Sequence, residues 1–448
     1  MSINSLPVET LGDIFHECVQ NRVPRWAKTR ALVLVRISSV CQRWREVSLS
    51  HGILWTYLDY TFHGSLRKQL VEIIDAWLHR SNGAPLNFSF RCELNNASPK
   101  DHEAAERIVL MLISHQWHWG KVRFIWQFRT SPSFPVIRLT NMPKLTSLDL
   151  YVYLDNNLYR DGSIDLSRSP RLEYLHLNYP FPLNAGNKPM HLPAVDTIDL
   201  DYSSISPTVP HFLDVLEATP NLRIFLASSC TADESSDYEG RPIVSHNLRT
   251  LAVRNGNASL VLKKLDLPAL EVFICRDGKV DNAGNNLSSF VERSLPPLIH
   301  LRIGGNCANE ATVTQILPLL PLLQVLDMDP CTVSARLFRL LCVPGDAGRR
   351  SRAHDMHNHI VCPDLRDFYF FNYSVVGEVR ECANAFCEML ESRWDALKMW
   401  DGLVGLGKLE YPISAVDCRR VHSLFRDAKS SGTRSAWNPG SHLNLGYL

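Results

Sequence analysis

Apolar residues recur along this chain with two different periods, and the change from one to the other divides it. Between Pro7 and Val19 the apolar positions are Val8, Leu11, Ile14, Phe15, Cys18 and Val19. Their steps of 3, 3, 1, 3 and 1 place them on one side of a helix. Pro7 suits the start of that helix, because its missing N–H would be unpaired there anyway. Glu9 falls in the first turn, where a negative charge is favourable. Asn21 to Pro24 breaks the pattern. A second helical run spans Trp26 to Ser48 and carries Leu32, Val33, Val35, Ile37, Val40, Cys41, Trp44 and Val47. Ser38-Ser39 predicts a break, giving two helices or a bent one. His51-Gly52 supplies a turn, and Ile53 to Leu58 resumes the apolar pattern. Further helices are predicted over Leu66 to His79 and His102 to Ser114, with an alternating strand at Leu86 to Phe90. Trp117 to Phe128 is rich in aromatic residues and reads as core.

From residue 142 the rhythm changes. A phrase of the form x-Leu-x-x-Leu-x-Leu recurs behind a proline or a loop. Its copies begin at Leu145, Leu172, Val195, Leu222, Leu248, Leu270, Leu298, Leu323 and Leu365. The steps between them are 27, 23, 27, 26, 22, 28 and 25, then 42. Apart from the last, these are the period of leucine-rich repeats or its edge. Each phrase predicts a short strand with alternating faces. Segments such as Pro210 to Pro220 predict a helix packed behind it. No such unit buries its apolar face alone, so stacking stabilises the array. A doubly wound α/β enzyme also alternates strands and helices, but the period here is regular and no strand leads into a glycine-rich phosphate loop.

The first sixty residues resemble an F-box, the three-helix module that binds the Skp-type adaptor of cullin ubiquitin ligases. The resemblance rests on Leu6-Pro7, Glu9 with Leu11, Ile14-Phe15, Val40-Cys41, Gln42-Arg43-Trp44-Arg45 and Leu54-Trp55. The order and spacing are similar to those of F-box-like proteins of mushroom-forming fungi, in which leucine-rich arrays follow the F-box. Gln20 to Leu34 is stretched relative to the compact form. The resemblance implies that Leu6, Pro7, Leu11, Ile14, Phe15, Val40, Trp44 and Trp55 supply adaptor-binding anchors, some of them forming the module's own core instead.

The expected architecture is therefore α/β. A three-helix F-box-like module (1–60) precedes linker helices and irregular first repeats (61–141). A curved leucine-rich-repeat solenoid with a parallel sheet follows (142–374), with an insertion loop near 343–358. A helical cap and loose tail close the chain (375–448). The expected function is the substrate-recognition subunit of a cullin-type ubiquitin ligase. Its partners would be a Skp-type adaptor, through it a cullin, and a target that the sequence does not identify. The alternative is a non-catalytic repeat scaffold whose N-terminal helices only cap the array.

Composition narrows this further. Hydrophobic residues make up 45% of 448, enough for an extensive core. The 47 basic and 46 acidic residues leave a net charge of +1, which argues for neither nucleic acid nor an anionic membrane. Arg22, Arg25, Lys28, Arg30, Arg36, Arg43 and Arg45 lie in a stretch without acidic residues, a local field suited to an acidic partner. No stacking or groove-reading pattern accompanies it, so nucleic acid is disfavoured. The start lacks a secretory pattern, no stretch has membrane-spanning character, and the twelve cysteines are scattered. The expected location is cytoplasmic, nuclear or both.

Candidate chemistry is sparse. His354, His357 and His359, and the pair His115 and His118, lack companions at zinc-site spacing. Gly402 to Gly407 (GLVGLG) lacks the Lys-Ser/Thr of a phosphate loop. The expectation is no catalytic residue, no metal and no cofactor. Thr146, Glu173 and Arg249 are candidate target-facing positions by strand geometry alone.

Overall fold

The computed structural model describes residues 5–21, 30–62, 69–94, 98–128, 138–154, 163–178, 191–201, 208–231, 242–277, 280–343, 360–370, 373–399 and 408–410. The chain packs as two compact units. One comprises Met1–Ser206 with Val215–Leu222, the other Pro207–Asp214 with Arg223–Leu448.

The first unit opens with α1 (Val8–Asn21), α2 (Arg30–Ser38) and α3 (Gln42–Ser50). The break expected at Ser38-Ser39 falls at Ser39–Cys41. A short 3-10 turn, Gly52–Trp55, leads into β1 (Tyr57–Phe62). Then come α4 (Gln69–Arg80), β2 (Leu86–Glu93), α5 (Pro99–Ser114) and β3 (Trp119–Phe128). Helix α5 starts where the sequence supplies a cap. The Ser98 hydroxyl accepts from the Asp101 N–H, Asp101 returns a bond to the Ser98 N–H, and Pro99 fills the first turn. Shorter strands follow: β4 (Arg138–Leu139), β5 (Ser147–Leu154), β6 (Ser163–Ile164), β7 (Tyr174–Leu177) and β8 (Thr197–Leu200).

Strands β1, β2, β3, β5, β7 and β8 lie side by side in that order, and β1 through β7 pair in parallel, as does β7 with β8. The sheet thus starts at Tyr57, ahead of the Leu86 position that the sequence suggests. Parallel neighbours need a crossover segment, and α4 and α5 supply the first two. Leu148, Leu175 and Ile198 stand in register, as do Leu150, Leu177 and Leu200. All six are essentially without solvent contact. Each such side chain stabilises the fold by roughly 1.5–3 kcal/mol relative to exposure. β4 and β6 form a separate parallel pair.

The second unit repeats the plan. Its strands are β9 (Ile224–Ala227), β10 (Ile243–Val244), β11 (Thr250–Val253), β12 (Leu265–Asp266), β13 (Val272–Asp277), β14 (His300–Gly305), β15 (Val325–Met328), β16 (Cys331–Val333), β17 (Asp367–Phe370), β18 (Tyr373–Val375) and β19 (Lys408–Glu410). β9, β11, β13, β14, β15, β17 and β19 are consecutive parallel neighbours. One ladder runs Phe225, Leu251, Phe273, Leu301, Leu326 and Phe368, each 0% exposed. Every recurring phrase in the sequence contributes one of these parallel strands. β10 with β12 and β16 with β18 form small parallel pairs beside this plan.

Helix α6 (Val209–Ala218) is the helix expected from the Pro210 segment. The others are α7 (Ala258–Leu262), α8 (Ala283–Ser294), α9 (Glu310–Ile316), α10 (Ala335–Leu340) and α11 (Val379–Met399). Arg393 of α11 is buried and donates to the carbonyls of Leu341, Cys362 and Val361 at 2.8, 3.1 and 2.7 Å. It thereby ties together the two sides of the chain that flank residues 344–359. Those residues contain most of the expected insertion loop and lie outside the described ones, as does the tail 411–448.

Candidate functional site

The three N-terminal helices form a small core from one face each. Leu11, Phe15 and Val19 of α1 are spaced four apart and are buried. Val33, Leu34 and Ile37 of α2 and Val47 of α3 complete that core. Phe15 meets Trp44 with ring centroids 4.8 Å apart and planes tilted by 55°. Gly12 is where α1 comes closest to its neighbour: a Cβ there would stand 2.3 Å from the His51 ring.

Polar contacts fix the segment ends. Helix α3 is capped by Cys41, whose Sγ accepts from the Trp44 N–H at 3.5 Å. The Arg43 guanidinium donates to the Leu6 carbonyl, which holds the Leu6-Pro7 segment against α3. Arg45 donates from Nε to the Ser38 carbonyl at 3.1 Å, satisfying a C-terminal carbonyl of α2. Two members of the basic stretch therefore serve the module's own geometry. Arg22, Arg25 and Lys28 lie outside the described residues.

Trp55 ties the module to helix α4. Its Nε1 donates to the Ser48 carbonyl at 2.8 Å. Its ring packs edge-on against Trp77 of α4, 4.8 Å between centroids, and the Arg80 guanidinium lies 4.6 Å from its centre.

The structure thus divides the eight sequence candidates. Leu11, Phe15 and Trp55 are interior, at 0%, 1% and 6% exposure. Leu6 and Trp44 are half-buried, and Pro7 is exposed. Ile14 and Val40 project into solvent at 38% and 61% exposure. Four more apolar side chains in the same module are exposed although the sequence reading did not single them out: Val8, Val35, Leu49 and Ile53. The signal was present for Val35. With Val33, Leu34 and Ile37 facing inward, the helical period sends Val35 to the other side. These apolar residues lie off the buried stripe and take no part in the module's own core.

The other candidates are structural or ordinary. The Thr146 hydroxyl donates to the Gly120 carbonyl at 3.3 Å. Arg249 pairs with Glu271 at 2.9 Å, and Glu173 is exposed. His118 is buried, with Nδ1 2.9 Å from the Ala84 carbonyl and Nε2 3.2 Å from His115 Nδ1. Burial pushes both imidazoles below their ordinary range. No group of three or more metal-ligating side chains occurs among the described residues. His354, His357, His359 and Gly402 to Gly407 lie outside them. No helix among the described residues is long and apolar enough to cross a membrane.

No curated protein matches the chain. Residues 3–61, the helices and the turn carrying these exposed side chains, match the family model described as F-box-like.

Proposed function

We propose that the protein is the substrate-recognition subunit of a Skp–cullin–F-box ubiquitin ligase, of the leucine-rich-repeat type found in mushroom-forming fungi. An F-box-like domain suggests a substrate receptor in such complexes. The N-terminal helices grip a Skp-type adaptor, and through it a cullin. The parallel strands, as a curved leucine-rich-repeat solenoid, hold a target so that its lysines meet a charged conjugating enzyme. Ubiquitin transfer belongs to partner subunits and is accelerated here by proximity. The protein itself needs no cofactor, and it works in the cytoplasm, the nucleus or both.

The observation that carries this reading is the set of solvent-facing apolar side chains in the F-box-like region: Val8, Ile14, Val35, Val40, Leu49 and Ile53. A module that served only to cap the sheet would turn such residues inward. The capping reading has one observation in its favour, the Trp55–Trp77 contact. A single module can do both, with Trp55 inside and Ile14 and Val40 outside.

The test is capture of a purified Skp-type adaptor by the full chain and by an Ile14→Asp, Val40→Asp variant. Both positions are exposed, so the variant keeps its circular dichroism and unfolding midpoint. The expected result is capture by the parent and none by the variant. A folded parent that captures no adaptor would leave the capped scaffold as the function.

A further inference from the structure

A cavity of about 700 Å³ opens in the first unit, beside the starting strands of the sheet. That volume lies in the range of ligand pockets rather than of packing defects. Its walls are largely apolar and aromatic, with Ile73 and Trp77 from α4 and Tyr57 and Tyr174 from β1 and β7.

The polar groups lining it are mostly donors. Lys121 and Arg123 stand two apart on β3, on one face of the strand. Lys121 makes no ion pair among the described residues. Arg123 spends Nε on Asp149 Oδ2 at 3.0 Å. Its terminal nitrogens make no hydrogen bond among the described residues, and the side chain is 46% exposed. Asn87 has its Oδ1 occupied by the Lys121 backbone N–H at 2.8 Å, which leaves its NH₂ to donate. The Tyr174 hydroxyl holds its proton firmly, pushed up to about 12 by burial first and by Asp149 and Asp199 next. It too presents a donor.

Two carboxylates line the cavity. Asp149 is compensated by Arg123 and lies 2.8 Å from the His176 ring. That approach is ionic in distance only, because the geometry is not that of a hydrogen bond. Asp59, on the edge strand, has no partner among the described residues. Lys121 and Arg123 thus face a space with one uncompensated negative charge at its rim and with apolar walls.

We propose that this cavity binds an acidic peptide segment of the target protein, its carboxylate held by Lys121, Arg123 and the Asn87 amide, and an adjoining apolar side chain seated against Tyr57 and Ile73. Calling that partner the target rests on the receptor reading; the binding itself does not. Charge-assisted bonds from Lys121 and Arg123 hold a carboxylate more firmly than neutral donors would. Asp59 disfavours a second negative charge nearby, so the segment carries an isolated acidic residue rather than an acidic run.

The test uses the full chain and synthetic peptides that share one apolar residue and differ at its neighbour, which is glutamate, lysine or phosphoserine. The glutamate peptide is expected to bind best. Lys121→Glu should weaken it by roughly tenfold or more, and Asp59→Asn should tighten it. Arg123→Gln is the second variant, with the same expected direction as Lys121→Glu. Circular dichroism of each variant checks that the sheet persists. Preference for the lysine peptide, preference for the phosphoserine peptide, binding of none, or insensitivity to both cation substitutions overturns the proposal. Adaptor capture, measured on the same preparations, should be unchanged by these variants. A chain that binds the glutamate peptide but captures no adaptor overturns the ligase reading and leaves the peptide site standing.

Discussion

The strand ladders and the N-terminal helices use the same apolar residue types and treat them oppositely. Along the second unit's sheet, Phe225, Leu251, Phe273, Leu301, Leu326 and Phe368 are all fully enclosed. In the helices, Leu11 and Phe15 are enclosed while their neighbour Ile14 is in solvent. An inner strand has a partner on either side, so a residue on the inward row meets its counterparts in the adjacent strands. Three short helices offer each other only one face apiece. Apolar residues beyond that face have nothing within the module to cover them. Periodicity therefore reads out burial in the sheet, whereas in the helices it does not by itself separate enclosed apolar residues from exposed ones.

This contrast is broken most sharply by substitution at both kinds of site. Phe273→Ala should destabilise by about 3–5 kcal/mol, because the ring packs on Phe290 with centroids 5.6 Å apart and is fully enclosed. The denaturant midpoint of the second unit's transition reads this. Ile14→Ala should move the first unit's midpoint by less than about 0.5 kcal/mol. Equal losses at the two positions would mean that Ile14 is covered by something in the chain and is not open to a partner.

Trp55→Phe separates an interior role from a surface one within the module. It keeps an aromatic ring against Trp77 and removes the Nε1 donor to the Ser48 carbonyl. A buried carbonyl left without its partner costs on the order of 1–3 kcal/mol. The loss is expected in thermal unfolding, with adaptor capture by the surviving folded protein unchanged. Lost capture in a folded variant would place Trp55 at the docking surface despite its burial.

Much of this was legible in the sequence. The recurring phrase located its strands because Leu145, Leu172, Leu248, Leu298 and the rest are enclosed residues two positions ahead of each strand. The helix break at Ser39–Cys41 was legible from two serines that compete for backbone bonds. The strand Tyr57–Phe62 was less so. Its apolar run continues directly from a helical one, and only its pairing with Leu86–Glu93 makes it a strand. The small pairs, such as Cys331–Val333 with Tyr373–Val375, are too short to carry a period. Arg393 was invisible for another reason. Its three acceptors are backbone carbonyls from distant parts of the chain, and no side-chain pattern announces them. The cavity donors Lys121 and Arg123 sit within a segment that the sequence shows only as aromatic-rich core, Trp117 to Phe128, and nothing in it singles them out.

The smallest expected effect concerns the histidine pair at the end of α5. His118 Nδ1 faces the Ala84 carbonyl, so Nδ1 carries the proton and Nε2 accepts from His115 Nδ1. Protonating His118 would set two donors against each other in a buried place. Burial accordingly holds both imidazoles below the ordinary value of 6.5 in the folded chain. The unfolded chain then takes up protons first as the pH falls. The pair's contribution is complete above about 6.5 and is lost as the pH drops through that value towards the lowered folded ones. Melting temperatures across that window should fall with decreasing pH, and His115→Gln should make the decline shallower. His211 and His300, also pushed down by burial, keep some slope in the variant. A steeper decline in His115→Gln would mean that the pair is stabilised by sharing a proton rather than by excluding one.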